Sequence, residues 1–176
     1  MSLKKSLSPR KTADSAIKMI MPFSEDLELR ERYINFFGAL RLGKLLEDLD
    51  LIAGQVAYKH TEGWERGLTI VTAACDRIDL LGDLRSDRDL QFLASINWVG
   101  KSSLEVGIRI SSKEARNWKR VARAYFIMVA RQEGKAETVN SLKPITKEEK
   151  RRFQQGEFRQ QQRRVIAQTS YLLNSP

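Results

Sequence analysis

The chain reads as an α+β domain: one long apolar-striped helix, then several long strands joined as neighbours, then a polar helix. Two observations predict this order. Between residues 42 and 56 apolar side chains recur in steps of three and four, and after Gly67 the period drops to two. The 176 residues, 41% of them hydrophobic, suffice for one domain with a real core and leave little room for a second.

Met1 to Asp14 is polar, basic and Ser/Lys-rich, with Pro9 and no hydrophobic period, so it is expected to be a disordered arm with no role in the fold. A methionine-rich apolar run from Ile17, ended by Pro22, predicts an edge strand over Ile17 to Phe23. The stripe Leu42, Leu45, Leu46, Leu49, Ile52, Ala53, Val56 predicts a helix from about Leu40 to Tyr58. Leu51 off that stripe and Gly54 inside the span suggest a helix enclosed on more than one side.

Leu68 to Leu81 is rich in β-branched residues and is punctuated by Gly82 and Asp83, which predicts a strand. Leu90, Phe92, Ala94, Ile96 and Trp98 alternate with polar neighbours, as do Leu104, Val106, Ile108 and Ile110. The short connection Gly100-Lys101-Ser102 joins these two strands as an antiparallel hairpin. Trp118 to Arg131 turns apolar on both faces from Ala124 to Ala130, the pattern of a central strand. After a polar loop ending at Pro144, Thr146-Lys-Glu-Glu is a capping box that opens an exposed, Gln/Arg-rich helix to about Gln168, with Gly156 as its weak point. The expected organisation is an arm over 1–14, one domain over 15–140 and a basic helical extension over 141–176.

Composition narrows the chemistry. The formal net charge of +9 lies at the two ends, +4 in residues 1–12 and +5 in residues 141–176, while residues 13–140 balance at 19 bases against 19 acids. A neutral body argues against a dedicated nucleic-acid surface, and an adaptor acting through basic tails is the weaker rival. One cysteine, Cys75, and one histidine, His60, exclude disulfide scaffolds and His/Cys metal clusters. Cys75 is expected to be a buried small hydrophobe, and His60 a cap or interface residue. Without a run of about 18 apolar residues or an apolar stretch in residues 1–20, neither a spanning helix nor secretion is expected. The expected location is the cytoplasm, or the mitochondrion for a eukaryotic source.

Catalysis would then rest on carboxylates, hydroxyls and backbone. On a wheel with Leu42 at zero, Asp50 falls at about 80°, on the edge of the stripe, with Gly43 and Gly54 at about 100° and 120°. Two residues without side chains beside a carboxylate suggest close approach to the backbone, or simply packing against a strand. Asp50 could serve as general base or nucleophile, and free N–H groups near Gly43 could polarise a carbonyl, which suits acyl transfer. Lys101, Ser102 and Ser103 form a hairpin tip able to hold a phosphate-bearing chain, and Arg151 and Arg152 head an arginine run able to meet phosphate.

Five segments, in order, resemble one family. They are Arg41-Leu-Gly-Lys-Leu-Leu-Glu-Asp-Leu-Asp50, Tyr58-Lys-His60, Ile70-Val-Thr-Ala73, Trp98-Val-Gly-Lys-Ser-Ser-Leu-Glu-Val106 and Ala124-Tyr-Phe-Ile-Met-Val-Ala130. They are similar to the hotdog-fold acyl-coenzyme A thioesterases, most of all to the N-terminal hotdog of the mitochondrial double-hotdog type. The resemblance implies a central helix wrapped by an antiparallel sheet, pairing into a homodimer or a trimer of dimers, and hydrolysis of an acyl-coenzyme A thioester. It maps the catalytic acid onto Asp50 and the carbonyl-facing amide onto Gly43. It places Lys101, Ser102 and Ser103 along the pantetheine channel and Arg151 and Arg152 near the nucleotide. No metal or redox cofactor is implied, since coenzyme A is part of the substrate. Many members carry an Asn or His shortly before the glycine, supplied by one hotdog to the acid of the other. Here Phe37 or Gly38 falls at that place, and Asn35 would serve only through a shifted loop. The rival reading is a non-catalytic acyl-coenzyme A binding module or adaptor.

Overall fold

The structure, a computed structural model, describes residues 7–174, with side chains through residue 168. Residues 1–6 of the expected arm lie outside the described residues.

Among the described residues six strands form one antiparallel sheet. They are β1 (Ile17–Met21), β2 (Thr69–Leu80), β3 (Leu90–Val99), β4 (Ser103–Glu114), β5 (Asn117–Gln132) and the two-residue β6 (Lys135–Ala136). Their order is β1-β3-β4-β5-β2, with β6 on β5. β1 is thus an edge and β5 is flanked on both sides, as their sequence patterns predict. The helices are α1 (Leu27–Tyr33), α2 (Leu42–Thr61) and α3 (Lys147–Asn174).

The stripe on α2 lies against one face of the sheet. Leu45, Leu49, Ile52, Ala53 and Val56 are at most 4% exposed. They meet Phe92, Ala94 and Ile96 of β3, Val106 and Ile108 of β4, and Ala124, Phe126 and Met128 of β5 in one core. Each fully buried leucine, isoleucine or phenylalanine contributes about 1.5–3 kcal/mol. The burial is one-sided, however. Leu51 is 64% exposed, so within one chain one side of α2 stays open, and the helix is not enclosed as fully as expected. Strand β2 is likewise an open edge, and Cys75 on it is exposed rather than buried.

Two features went unread in the sequence. α1 is only seven residues long, capped by the Asp26 carboxylate, which accepts the Leu29 N–H at 2.8 Å. Its short periodic run falls below what pattern alone distinguishes. The second is the part played by residues 10–15, expected to have none in the fold through Asp14. Arg10 bridges to Leu142 and its guanidinium donates to Glu62 at 2.9 Å, while Thr12 and Ser15 are buried.

Helix α3 packs across the opposite face of the sheet from α2, and it runs through Gly156 without interruption. Its capping box forms as expected: the Glu149 N–H donates to the Thr146 hydroxyl at 3.1 Å, and the Thr146 N–H donates to Glu149 at 2.9 Å. Rather than weakening the helix, Gly156 is its point of closest approach. A Cβ there would sit 2.6 Å from Trp98 Cβ. One turn on, Arg159 donates from Nε to the fully buried Glu105 at 2.9 Å, and its guanidinium lies 4.4 Å over the Tyr125 ring. Asn97 Nδ2 also donates to Glu105, at 3.2 Å. Removing one partner from such a buried pair costs about 3–5 kcal/mol. Farther along, Arg163 donates to Asp76 at 2.7 Å.

His60, near the end of α2, is fully buried. Its Nε2 lies 3.0 Å from the Asn140 carbonyl and its Nδ1 3.4 Å from the Ser15 hydroxyl. A neutral ring donating from Nε2 and accepting at Nδ1 satisfies both contacts. Burial pushes its pKa down to about 4, only partly offset by the carbonyl hydrogen bond.

Gly156→Ala should lower stability by roughly 1–3 kcal/mol despite its gain in helix propensity, because Trp98 Cβ cannot swing aside. A thermal melt checks this: a fall of at least a few degrees is expected, against a rise if helix propensity dominated. The unfolded chain protonates His60 near pH 6.5 and the folded chain only near pH 4, so stability present above pH 6.5 should be lost as pH falls toward 4. The loss should amount to roughly 3 kcal/mol in urea titrations, and His60→Gln should flatten that part of the profile.

Candidate functional site

Asp50 lies on α2 at the boundary between the buried stripe and the open face, half-buried. The Thr72 hydroxyl on β2 donates to its Oδ1 at 2.6 Å and lies 3.6 Å from Met128 Sδ. Asp50 makes no ion pair among the described residues, and its Oδ2 has no hydrogen-bond partner among them. A carboxylate oriented by one hydroxyl, with its second oxygen uncommitted, can take a proton from water or attack a carbonyl. Thr72 was missed in the sequence, where it read only as a β-branched strand residue.

Gly43, the second residue of α2, is exposed, with nothing within 4 Å of where a Cβ would stand. Arg41 provides no side-chain cap, and the amides of the first helical turn have no intrahelical acceptors. The expected open amide is therefore present. It stands seven residues before Asp50, about 10 Å along the helix axis on the same face. Within one chain the two groups cannot act on one carbonyl. A Cβ on Gly54 would meet only Met128 Cε, at 4.0 Å, an ordinary contact, so no close approach requires glycine there.

Asn35 sits in the loop between α1 and α2, closed by the bridge between Ile34 and Leu40. Its side-chain oxygen accepts the N–H groups of Phe37 at 2.9 Å and Ala39 at 3.0 Å. That fixes the side chain and leaves its NH2 unclaimed. Gly38 turns the loop at φ 75°, a left-handed conformation that favours glycine. The Tyr33 hydroxyl anchors the loop to α2 by donating to Asp48 at 2.7 Å, and burial first, then Asp48, raises the Tyr33 pKa to about 12. Phe36 and Phe37 project outward, 97% and 88% exposed. With Leu42 and Leu51 they leave apolar side chains around the N-terminal part of α2 without a cover in one chain.

The hairpin tip shares the Asp50 end of the sheet. Ser103 pairs with Val129, which pairs with Val71, one register step from Thr72. The tip therefore lies two strand spacings, about 10 Å, from the Thr72 strand. Its backbone is held by the N–H of Ala130 on the Ser102 carbonyl and of Val139 on the Lys101 carbonyl, while the Lys101 side chain stays exposed. Arg151 and Arg152 are not brought to this place. They lie on α3, and the sheet separates them from Asp50, because sequence spacing carries no information on which face a distant helix covers. Arg152 instead donates to Ser95 at 3.2 Å on the outer face. Burial first, then Asp76 and Asp50, raises the pKa of Cys75, which opposes a thiolate nucleophile there. Among the described residues no group of His, Cys, Asp and Glu could hold a metal ion.

No family model matches the chain. It is 36% identical over 176 residues to the Homo sapiens protein named acyl-coenzyme A thioesterase 9, mitochondrial, an alignment covering 97% of this chain and 40% of that one. The apo-hexameric acyl-CoA thioesterase superposes with TM-score 0.78 at 25% identity, over 91% of this chain and 97% of that one. The chain belongs to the hotdog-fold acyl-coenzyme A thioesterase family. The acyl-CoA hydrolase from Staphylococcus aureus, solved with butyryl coenzyme A, coenzyme A and coenzyme A disulfide, shares the hotdog fold at TM-score 0.79 and 23% identity, covering 93% of this chain and 95% of that one. This hotdog chain spans about 40% of the length of the curated relatives it first matches. No helix among its described residues is long and apolar enough to cross a membrane.

Proposed function

We propose that this hotdog chain hydrolyses acyl-coenzyme A to a free acid and coenzyme A, at sites formed where two copies meet. The observation that carries the reading is the Asp50 carboxylate, oriented by Thr72 and open on its other side. Gly43 and Asp50 stand about 10 Å apart on one helix, so one chain's amide serves the other chain's acid. The bare β2 edge and the apolar front of α2 supply the surface for that pairing.

In this reading the Gly43 amide of one copy draws charge onto the thioester oxygen, and Asp50 of the other activates water or attacks the carbonyl carbon. Asn35 joins the Gly43 side. In the Staphylococcus aureus hydrolase the Asn and the Asp replaced by alanine in two solved variants stand 15 residues apart. Asn35 and Asp50 have the same separation, which supports Asn35 in that role without a shifted loop. A threonine of that enzyme was replaced as well, a residue of the same kind as Thr72. Lys101, Ser102 and Ser103 edge the channel for the pantetheine arm. No metal or redox cofactor is required. Two copies form the working unit, and three such pairs would match the hexameric neighbours. The cytoplasm, or the mitochondrion named for the human relative, is the expected location.

Release of free thiol from short- to long-chain acyl-coenzyme A should be lost in Asp50→Ala by about 100-fold or more, and lowered about 10-fold in Thr72→Val with the melting temperature kept. Unchanged turnover in Asp50→Ala would overturn the site, whereas coenzyme A esters that bind the native chain without turnover would favour a binding module. Mixing inactive Asp50→Ala with inactive Asn35→Ala should restore about a quarter of native turnover, because half the dimers then hold one intact site. No recovery in demonstrably mixed dimers would place both residues in the same chain's site.

A further inference from the structure

Two carboxylates two residues apart on α2 face opposite ways. Asp48 and Asp50 stand about 200° apart around the helix. Asp50 meets Thr72 on β2, whereas Asp48 meets the loop between α1 and α2 of its own chain. The Asp48 side chain is only 16% exposed and accepts the Tyr33 hydroxyl at 2.7 Å. Lys44 completes the cluster, with its Nζ 3.9 Å from Asp48 and 5.7 Å over the Tyr33 ring.

Tyr33 is held at three points. Its ring packs on the fully buried Phe23, with centroids 5.1 Å apart. Its carbonyl accepts the N–H of Arg41, the residue that precedes α2, at 2.7 Å, and its hydroxyl reaches Asp48 in the second turn of that helix. Between Tyr33 and Arg41 the chain closes a short hairpin, in which Ile34 bridges to Leu40 and the Asn35 N–H donates to the Ala39 carbonyl at 2.9 Å. Asn35 stands two residues beyond Tyr33 and Gly43 two beyond Arg41, so the base of the hairpin carries both groups assigned to one side of the site. The far end has little to hold it within one chain. Phe36 and Phe37 are in water, and the Ser86 hydroxyl, donating to the Gly38 carbonyl at 2.8 Å, is the contact at the turn. Ring packing on Phe23 is not directional, whereas a hydrogen bond to a carboxylate is.

We propose that Tyr33 and Asp48 are positioning residues of the thioesterase site, whose hydrogen bond sets the pose of Asn35 and of the Gly43 amide for the Asp50 of the other copy. The proposal rests on the thioesterase reading. One helix then works for two sites: its Asp48 orients the hairpin of its own chain, and its Asp50 acts with the hairpin of the other.

Tyr33→Phe keeps the ring and its packing, so the fold should persist, while kcat for acyl-coenzyme A hydrolysis should fall about 10-fold with KM within about 2-fold of native. Asp48→Ala should fall alike. Asp48→Asn still accepts the hydroxyl and should keep most of the turnover, and Tyr33→Phe/Asp48→Ala should be no slower than either single variant. Glu28→Gln, which breaks an exposed pair with Arg32 on α1, should turn over as the native chain does. Mixed dimers supply the readout that a merely structural role would not move. Tyr33→Phe mixed with Asp50→Ala should recover to about a quarter of native turnover, because the intact site takes its acid from the Tyr33→Phe chain and its hairpin from the other. Tyr33→Phe mixed with Asn35→Ala should stay near about a twentieth, since every site then holds an altered hairpin. The reverse pattern would tie Tyr33 to the acid of its own chain and overturn the proposal. So would native turnover in Tyr33→Phe, or a loss that follows the melting temperature and is not complemented. A native chain that turns over no acyl-coenzyme A would fail the thioesterase reading and the proposal with it, whereas a turning-over chain indifferent to Tyr33→Phe would fail the proposal alone.

Discussion

Burial of the α2 stripe against one face of the sheet is the contact on which the rest of the molecule depends. Leu45, Leu49, Ile52 and Val56 are removed from water by β3, β4 and β5, and this fixes both the position of the helix and its rotation. Rotation matters most for function. With the stripe inward, Asp50 is held at its edge, within reach of Thr72 on β2 yet open on the other side. A turn of the helix by one residue would bury the carboxylate or carry it away from the strand. The catalytic candidate is thus positioned by apolar packing and trimmed by one hydrogen bond.

The same packing is what makes the proposed site one shared between two copies. α2 needs cover on two sides and receives it on one, which leaves Leu51, Leu42 and the phenylalanines of the α1–α2 loop in water. β2 ends the sheet with unpaired backbone groups. The open edge that carries Thr72 lies beside Asp50, so in the proposed reading the surface that draws two chains together is also the surface that carries the chemistry.

The opposite face follows different physics. Ser95, Asn97, Glu105 and Arg109 alternate outward from β3 and β4, and α3 is held there by buried hydrogen-bonded charge as well as by the close approach of Gly156 to Trp98. Buried charge specifies a single docking position more sharply than apolar contact does, because a shifted register would strand Glu105 without a partner. It also concentrates arginines beneath α3, so a segment that reads as a solvated charged helix becomes one wall of a cleft.

What could be read from residue order alone was whatever local periodicity records. The stripe of α2, the alternation of β3 and β4, the hairpin at Lys101, the capping box at Thr146 and the edge position of Asp50 are all properties of neighbours within a few residues. The five ordered segments then pointed to the hotdog family. Contacts between distant segments left no such trace. Thr72 reaches Asp50 across 22 residues, Arg159 reaches Glu105 across 54, and Asn140 meets His60 across 80. Cys75 looked buried because its strand is apolar, but burial depends on whether a neighbouring strand exists. Which side of the sheet Arg151 and Arg152 occupy could not be read either, because the face a helix covers is decided by the docking of the whole chain. The sequence by itself determined the elements, the inward face of each and the acid poised at a boundary, because side-chain periodicity is a local constraint. Only the tertiary structure decided which partner orients that acid, which edge stays open and where the basic tail lands, because those depend on side chains brought together by the packing of the core.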